Sequence, residues 1–171
     1  KRIKKSLAEL SDRYALYQES VQCVEAEIDM VDQNFKRLRN RKATSLREDF
    51  CGTANTSCEW VRRQSTNFAV GVDLDSEVLD WGQTHNINNL DDSAQPRITL
   101  LNENVLTVQT PPIDMVLAMN FSYQIFKNRE GLKEYFESVY QALIEDGVFF
   151  LDAFGGYEAF REMEESTEFD N

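Results

Sequence analysis

Two short segments of this chain place carboxylates where the ligand-binding edge of a sheet is expected. The first, LREDFCGTA at 46–54, is an apolar start followed by Glu48, Asp49 and a turn of mostly small residues. The second, AVGVDLD at 69–75, has the pattern of a buried strand that ends at Asp73. A carboxylate at the end of the second strand of such a unit can accept hydrogen bonds from both hydroxyls of a ribose. The spacing therefore predicts a site for a ribose-bearing cofactor.

The charge of the first turn indicates which cofactor fits. The pyrophosphate of a dinucleotide needs bare backbone N–H groups and closely approaching glycines, and neighbouring carboxylates would repel it. Glu48 and Asp49 occupy this turn, and Gly52 is its only glycine. An acidic turn suits a cofactor that carries cationic centres. S-adenosylmethionine, with an ammonium and a sulfonium, is that cofactor.

The segment from about 46 to 156 resembles the class I S-adenosylmethionine-dependent methyltransferases, and within them a bacterial-type group. That family's first motif is commonly acid-x-Gly-x-Gly-x-Gly. The matching residues of this chain are Glu48-Asp49-Phe50-Cys51-Gly52-Thr53-Ala54. Phe50 and Ala54 thus stand at glycine positions, so the Phe50 ring must turn away from the cofactor or stack on another group.

The resemblance implies roles for residues at the first two strand ends. Glu48 would reach the amino-acid end of the cofactor, although Glu48 or Asp49 could instead pair with Arg47. Gly52 lets the backbone approach the ligand closely. Asp73 would bind the ribose, or it could cap the following helix.

Further cofactor residues are expected beyond the third and fourth strands. Asn104 aligns with a position that hydrogen-bonds the adenine amine, although it could be a turn residue only. Asn120 and Phe121 would border the methionine end, unless the aromatic residues there form the apolar face of a short helix. The full set expected to contact the cofactor is Glu48, Phe50, Cys51, Gly52, Asp73, Leu74, Asn104, Val105, Asn120 and Phe121.

Other reactive residues are given structural roles. A nucleophilic Cys51 would need a nearby base, and the only histidine is His85, so catalysis by this thiol is not expected. Nothing in the sequence has metal-ligand spacing. Tyr14 and Tyr17 could face the cofactor or pack on the sheet. Tyr123, Gln124 and Phe126 would continue along the rim. Trp60 and Trp81 are predicted to pack helices against the sheet.

Periodicity predicts an α/β protein. The predicted strands are strand 1 at 45–50, strand 2 at 68–72, strand 3 at 97–101, strand 4 at 113–119 and strand 5 at 148–153. Helices are predicted within 3–40, at 55–64, from a cap at Asp75 to about 85, at 130–144 and, as a last acidic helix, after Gly156. Residues 86–96 are predicted to form a polar loop, and Glu145-Asp146-Gly147 to stop the helix at 130–144. Alternating strands and helices indicate a parallel sheet covered on both faces. The resemblance implies a Rossmann-like strand order of 3-2-1-4-5.

Two segments are expected, an N-terminal helical cap at 1–43 and the cofactor-binding core at 44–171. The family normally adds an antiparallel pair of strands after strand 5, and we expect this pair to be missing from the chain. The clusters of basic residues at 1–5 and 36–42 are interpreted as solvated helix faces.

Composition narrows the partners. A net charge of −12 disfavours nucleic-acid phosphates and anionic membranes, although acidity also simply keeps a protein in solution. Three cysteines without a CxxC pair suit a reducing compartment, so a cytoplasmic location is expected. No apolar run approaches the length of a membrane span.

The sequence therefore predicts an enzyme that moves the sulfonium methyl to a nucleophilic atom of an unidentified small-molecule acceptor. Such transfer needs the reactants in line and often no strong acid or base, so no catalytic residue is assigned. The oligomeric state cannot be read from the sequence. The alternatives are a non-catalytic or regulatory S-adenosylmethionine-binding protein and, less favoured, a nicotinamide oxidoreductase.

Overall fold

The computed structural model describes residues 11–157, 159, 161, 162, 164 and 166. The predicted helical residues 3–10 and most of the predicted last acidic helix lie outside this set. The bounds of the elements are α1 Arg13–Val21, α2 Val24–Arg39, β1 Ser45–Asp49, α3 Asn55–Arg63, β2 Phe68–Asp73, α4 Ser76–His85, β3 Ile98–Asn102, β4 Ile113–Ala118, α5 Arg129–Ala142 and β5 Leu143–Leu151. The predicted polar loop at 86–96 contains the short 3-10 helix Ile87–Asn89, and a second one, Gln95–Arg97, begins at its end.

The five described strands form one parallel sheet in the order β3-β2-β1-β4-β5, which confirms the predicted α/β class and strand order. Alternate strand residues serve opposite faces, as the two-residue period of a strand requires. Ala69 packs in a core with α2 and α3, whereas Val70 packs in a second core with α5. Both faces of the sheet are therefore covered by helices.

The N-terminal helices differ in how firmly they are packed. On α2, the spacing of Ile28, Val31 and Phe35 brings all three into the main core. By contrast, α1 has no buried residue. The chain leaves helical geometry between them, at Gln22 and Cys23. The division of the chain near residue 43 stays a prediction.

The boundary between α5 and β5 differs from the prediction. The acids and glycine at 145–147 do not end a helix, because α5 ends at Ala142 and the strand begins at the next residue. Ile113 pairs with Leu143 but Met115 pairs with Val148, so residues 144–147 form a bulge in the strand. Asp146 holds the bulge through Arg41, whose Nε and Nη2 donate to the carboxylate at 2.8 and 2.7 Å. Sequence periodicity carries no signal for this long-range ion pair.

Two further expectations need correction. Arg41 is not part of a solvated helix face: it lies beyond the end of α2, is only partly exposed, and also pairs with the buried Asp114 at 2.8 Å. Trp60 is buried and packs between helix and sheet as predicted. Trp81 does not: its ring contacts Tyr14 of α1, with centroids 5.6 Å apart, and its Nε1 donates to Asp12. Trp81 therefore joins α4 to α1 rather than to the sheet.

Candidate functional site

The turn after β1 bends through three residues in the left-handed region. Phe50, Gly52 and Ala54 have φ angles of 57°, 53° and 55°, and these are the three positions where the matched motif has glycines. A non-glycine residue pays about 1–2 kcal/mol for this conformation. The Phe50 ring packs against Tyr135 and Phe126, with centroids 5.7 and 6.3 Å apart. This confirms that the ring stacks on other groups, so the glycine-like turn is kept despite the substitution.

Glu48 is the buried acid of this turn. Its carboxylate accepts hydrogen bonds from the backbone N–H and the hydroxyl of Ser57, at 2.9 and 2.5 Å, and so caps the first turn of α3. Ala54, the N-cap residue of α3, makes no side-chain cap of its own. Burial raises the pKa of Glu48 to about 7, and the charge of Glu27 adds to this effect against the hydrogen bonds from Ser57. A cation placed beside this buried carboxyl would stabilise its ionised form.

Asp49 serves a different purpose, because it forms a fully buried ion pair with Arg47. Arg47 Nε and Nη2 donate to it at 2.6 and 3.1 Å. The Tyr135 hydroxyl donates at 2.9 Å, and burial raises the pKa of that hydroxyl, so it keeps its proton. Arg47 Nη2 and the Ser138 hydroxyl both donate to the Val105 carbonyl. Of the two acids expected at the turn, Asp49 is thus the one that pairs with Arg47.

Asp73 lies at the end of β2, between two backbone turns. One carboxylate oxygen accepts from the Gly52 N–H at 2.8 Å and the other from the Asp75 N–H at 3.0 Å. The cap of α4 is Asp75, which accepts from the N–H groups of Glu77 and Val78, as predicted. Asp73 is therefore not the cap, and each of its oxygens keeps a lone pair for another donor.

Two cavities meet at the carboxyl ends of the strands. The larger one has a volume of about 520 Å³, and the smaller one, beyond β2 and β3, about 290 Å³. Phe50 and Asp73 line both. The larger cavity is also lined by Tyr14, Tyr17, Glu48, Cys51, Gly52, Met119 and Asn120. The smaller one is also lined by Leu74, Glu103, Asn104, Val105, Leu106, Ile125 and Phe126.

Asn104 belongs to a turn at the smaller cavity. Its side-chain oxygen accepts from the Leu106 N–H at 3.0 Å, and its carbonyl accepts from the N–H groups of Thr107 and Val108. These bonds support the turn role that the sequence left open for Asn104. Its contact with adenine stays a prediction. Leu74, also on this cavity, is 67% exposed, so it is not a core residue.

The turn after β4 has an unusual backbone. Asn120 and Phe121 both have a φ of 56°, and their N–H groups donate to the Asp152 carboxylate at 3.0 and 2.8 Å. Asn120 lines the larger cavity, whereas the Phe121 ring packs edge-on against Phe154. The short helix expected here is the 3-10 helix Ser122–Ile125.

Helix α1 covers the larger cavity through polar contacts. Tyr14 and Tyr17 both line it, and Arg13 pairs with Glu77 of α4 at 3.3 Å. Gln18 accepts from the Thr53 hydroxyl and from the Asn86 amide. The sequence left open whether the two tyrosines face the site, and in the structure both of them line the larger cavity.

Cys51 is a poor nucleophile in this setting. Burial raises the pKa of its thiol well above the ordinary value, and the charges of Glu48, Asp73 and Asp49 add to the effect. His85 stacks on Trp81, with ring centroids 4.3 Å apart. The part of the chain that the structure describes contains no cluster of side chains suited to a metal ion.

The fold agrees with solved structures from bacteria. The chain is similar to the sugar N-methyltransferase KedS8 from Streptoalloteichus sp ATCC 53650, with 18% identity, a TM-score of 0.71, and coverage of 95% of this chain and 60% of that one. It is also similar to CalS10, an amino pentose methyltransferase from Micromonospora echinaspora, with 15% identity, a TM-score of 0.68, and coverage of 92% and 60%. The fold is Rossmann-like and is shared with methyltransferases.

A third similar structure is an S-adenosylmethionine-dependent methyltransferase from Clostridium acetobutylicum ATCC 824. It has 18% identity and a TM-score of 0.66, and coverage is 81% of this chain and 55% of that one. This chain thus spans between 55% and 60% of the length of these three methyltransferases. No family model and no curated protein matches the chain. At these identities the likeness establishes the fold.

Several residues of the candidate site gave no recognisable signal in the sequence. Ser57 and Asp152 orient other groups, and Arg13 and Thr56 line the larger cavity. All four are polar residues of ordinary helices and strand ends. Only the packing of α1, α3 and β5 around the strand ends brings them to the site.

No described helix has the length and apolar character required to cross a membrane.

Proposed function

We propose that this chain is the S-adenosylmethionine-binding core of a methyltransferase that acts on a small-molecule acceptor. The observation that carries the proposal is the pair of cavities that meet at Asp73 and Phe50. S-adenosylmethionine has the same order of parts, with a ribose between an adenine and a cationic amino-acid chain. The ribose would lie at Asp73, the adenine in the smaller cavity and the methionine part in the larger one.

Charge supports this orientation. The larger cavity is lined by Glu48, Asp73 and Asp75, and the charge of Asp49 is already paired inside the protein. Among the described residues, Arg13 is the basic side chain that lines this cavity. A buried carboxyl with a raised pKa, such as Glu48, is stabilised as the anion when an ammonium lies beside it. We assign Glu48 to the amino-acid end of the cofactor. The same carboxylates would repel the pyrophosphate of NAD, which disfavours the oxidoreductase alternative.

The smaller cavity suits an aromatic base. Leu74, Val105 and Phe126 supply apolar surface, and Asn104 lies beside them. A flat ring placed there would remove the exposed Leu74 side chain from water. Arg47 and Ser138 both donate to the Val105 carbonyl, and these bonds hold the backbone of this wall in place.

The chemistry asks for positioning rather than for acid or base groups. When bound, the cofactor supplies an electrophilic methyl group on its sulfonium. Direct transfer needs that methyl and the acceptor atom in line at about 3 Å. Tyr14, Tyr17 and Asn120 line the larger cavity and would orient the acceptor and keep water away from the reacting atoms.

The similar solved structures and the net charge of the chain favour a small molecule as the methyl acceptor. Two of the similar solved structures are described as methyltransferases of a sugar and of an amino pentose. The net charge of −12 disfavours nucleic acid and anionic membranes. The three free cysteines suit a reducing compartment, and we propose the cytoplasm as the location.

Titration calorimetry with S-adenosylmethionine, S-adenosylhomocysteine and NAD tests the proposal. We expect the first two ligands to bind and NAD not to bind. Binding of NAD alone would refute the proposal. The non-catalytic alternative stays open, although the packing of the Phe50 ring against Tyr135 and Phe126 leaves both cavities present beside it. Release of S-adenosylhomocysteine in the presence of small amines or alcohols would separate the enzyme from that alternative.

A further inference from the structure

The turn after β4 is held in a conformation that its own residues disfavour. Asn120 and Phe121 are consecutive non-glycine residues with left-handed φ angles of 56°. Asparagine tolerates this region through its short polar side chain, but phenylalanine does not. Such a turn persists when its surroundings hold it in place. Here the surroundings include a single carboxylate, that of Asp152.

Asp152 binds the turn from the neighbouring strand. Its two oxygens accept from the Asn120 and Phe121 N–H groups at 3.0 and 2.8 Å, and hydrogen bonds to a charged acceptor are stronger than neutral ones. Among the described residues, no lysine or arginine forms an ion pair with Asp152. The carboxylate is therefore committed to the turn.

Pairing of the strands does not depend on this contact. The ladder between β4 and β5 already runs through Met115↔Val148 to Ala118↔Leu151. Asp152 comes one residue after the last pair, where the chains leave the sheet and reach the larger cavity. Met119, Asn120 and Ser122 all line that cavity. The contact thus fixes a wall of the cavity rather than the sheet.

We infer that Asp152 is a positioning residue for the methionine end of the cofactor, because it holds the Asn120–Phe121 turn against the larger cavity. This inference rests on the proposed function. The smaller cavity, proposed for the adenine, is lined mainly by residues that follow β2 and β3, and it reaches the segment after β4 only at Ile125 and Phe126, beyond the turn that Asp152 holds. Loss of the carboxylate should therefore affect the two ends of the ligand unequally.

The experiment compares Asp152→Asn with Asp146→Asn, which removes a carboxylate near the start of β5 that lines neither cavity. Calorimetry measures the affinity of each variant for S-adenosylhomocysteine and for adenosine, which lacks the amino-acid chain. We expect Asp152→Asn to weaken the binding of S-adenosylhomocysteine about tenfold or more, which corresponds to the loss of one hydrogen bond to a charged group. The affinity for adenosine should change by less than about twofold in this variant. Asp146→Asn should change neither affinity.

Equal losses for both ligands, or no loss for either, would overturn the inference. If Asp152→Asn does not fold, Asp152→Glu keeps the charge but displaces the turn, and the same selective loss of S-adenosylhomocysteine is expected from it. An equal or absent loss in Asp152→Glu would overturn the inference as well. If the unaltered protein binds neither ligand, the proposed function itself fails, and this result is distinct from a failure of the role given to Asp152.

Discussion

The pKa of Glu48 leads to a quantitative prediction about cofactor binding. Glu48 has a pKa of about 7 because it is buried, compared with 4.5 for an ordinary glutamate. If the ammonium of S-adenosylhomocysteine lies beside Glu48, binding returns this pKa toward its ordinary value and releases a proton. Affinity must then rise with pH. From the two pKa values, binding should be about tenfold weaker at about pH 6 than at about pH 8.

The assay is titration calorimetry across this pH range, with Glu48→Gln as the control. Glutamine keeps an oxygen that can accept from Ser57, so the start of α3 stays capped while the titration is removed. The variant should bind more weakly at about pH 8 and show a much flatter profile. A wild-type affinity that is constant over the range, or a variant with the same slope as wild type, would show that Glu48 does not face the cation.

Three other predictions concern single residues. Asp73→Ala should remove two hydrogen bonds to the ribose, each of about 1.5–3 kcal/mol, so calorimetry should record at least a tenfold loss of S-adenosylhomocysteine affinity; wild-type affinity would refute the ribose role. Arg47→Met should lower the free energy of unfolding in urea by about 3–5 kcal/mol, because Asp49 is left buried without its partner, and an unchanged unfolding midpoint would contradict this. An alkylating reagent at neutral pH should label the exposed Cys23 before the buried Cys51, as mass spectrometry can check, and early labelling of Cys51 would refute the raised pKa.

Much of the fold follows from local patterns in the sequence. Apolar runs identify β2 and β4, the motif at 48–54 locates β1, and Asp75 identifies the start of α4. These features depend on neighbouring residues only, so the sequence determines them. The end of α5 does not follow, because Arg41 and Asp146 are distant in the chain and together stabilise the bulge in β5.

The candidate site divides in the same way. The residues of the turn after β1 and Asp73 could be predicted, because the topology brings the ends of parallel strands to one edge of the sheet. Asp152 could not, because its role depends on the bond it makes to a turn more than thirty residues earlier in the chain. The acid that pairs with Arg47 was left open, although the two-residue period of a strand places Arg47 and Asp49 on one face of β1 and Glu48 on the other.

A crystal structure of the complex with S-adenosylhomocysteine tests the central claim most directly. The ribose hydroxyls should lie within about 3 Å of the Asp73 carboxylate, with the adenine beside Leu74 and Phe126 and the ammonium toward Glu48. A ligand bound in the reverse direction, or bound away from the two cavities that meet at Asp73, would contradict the account.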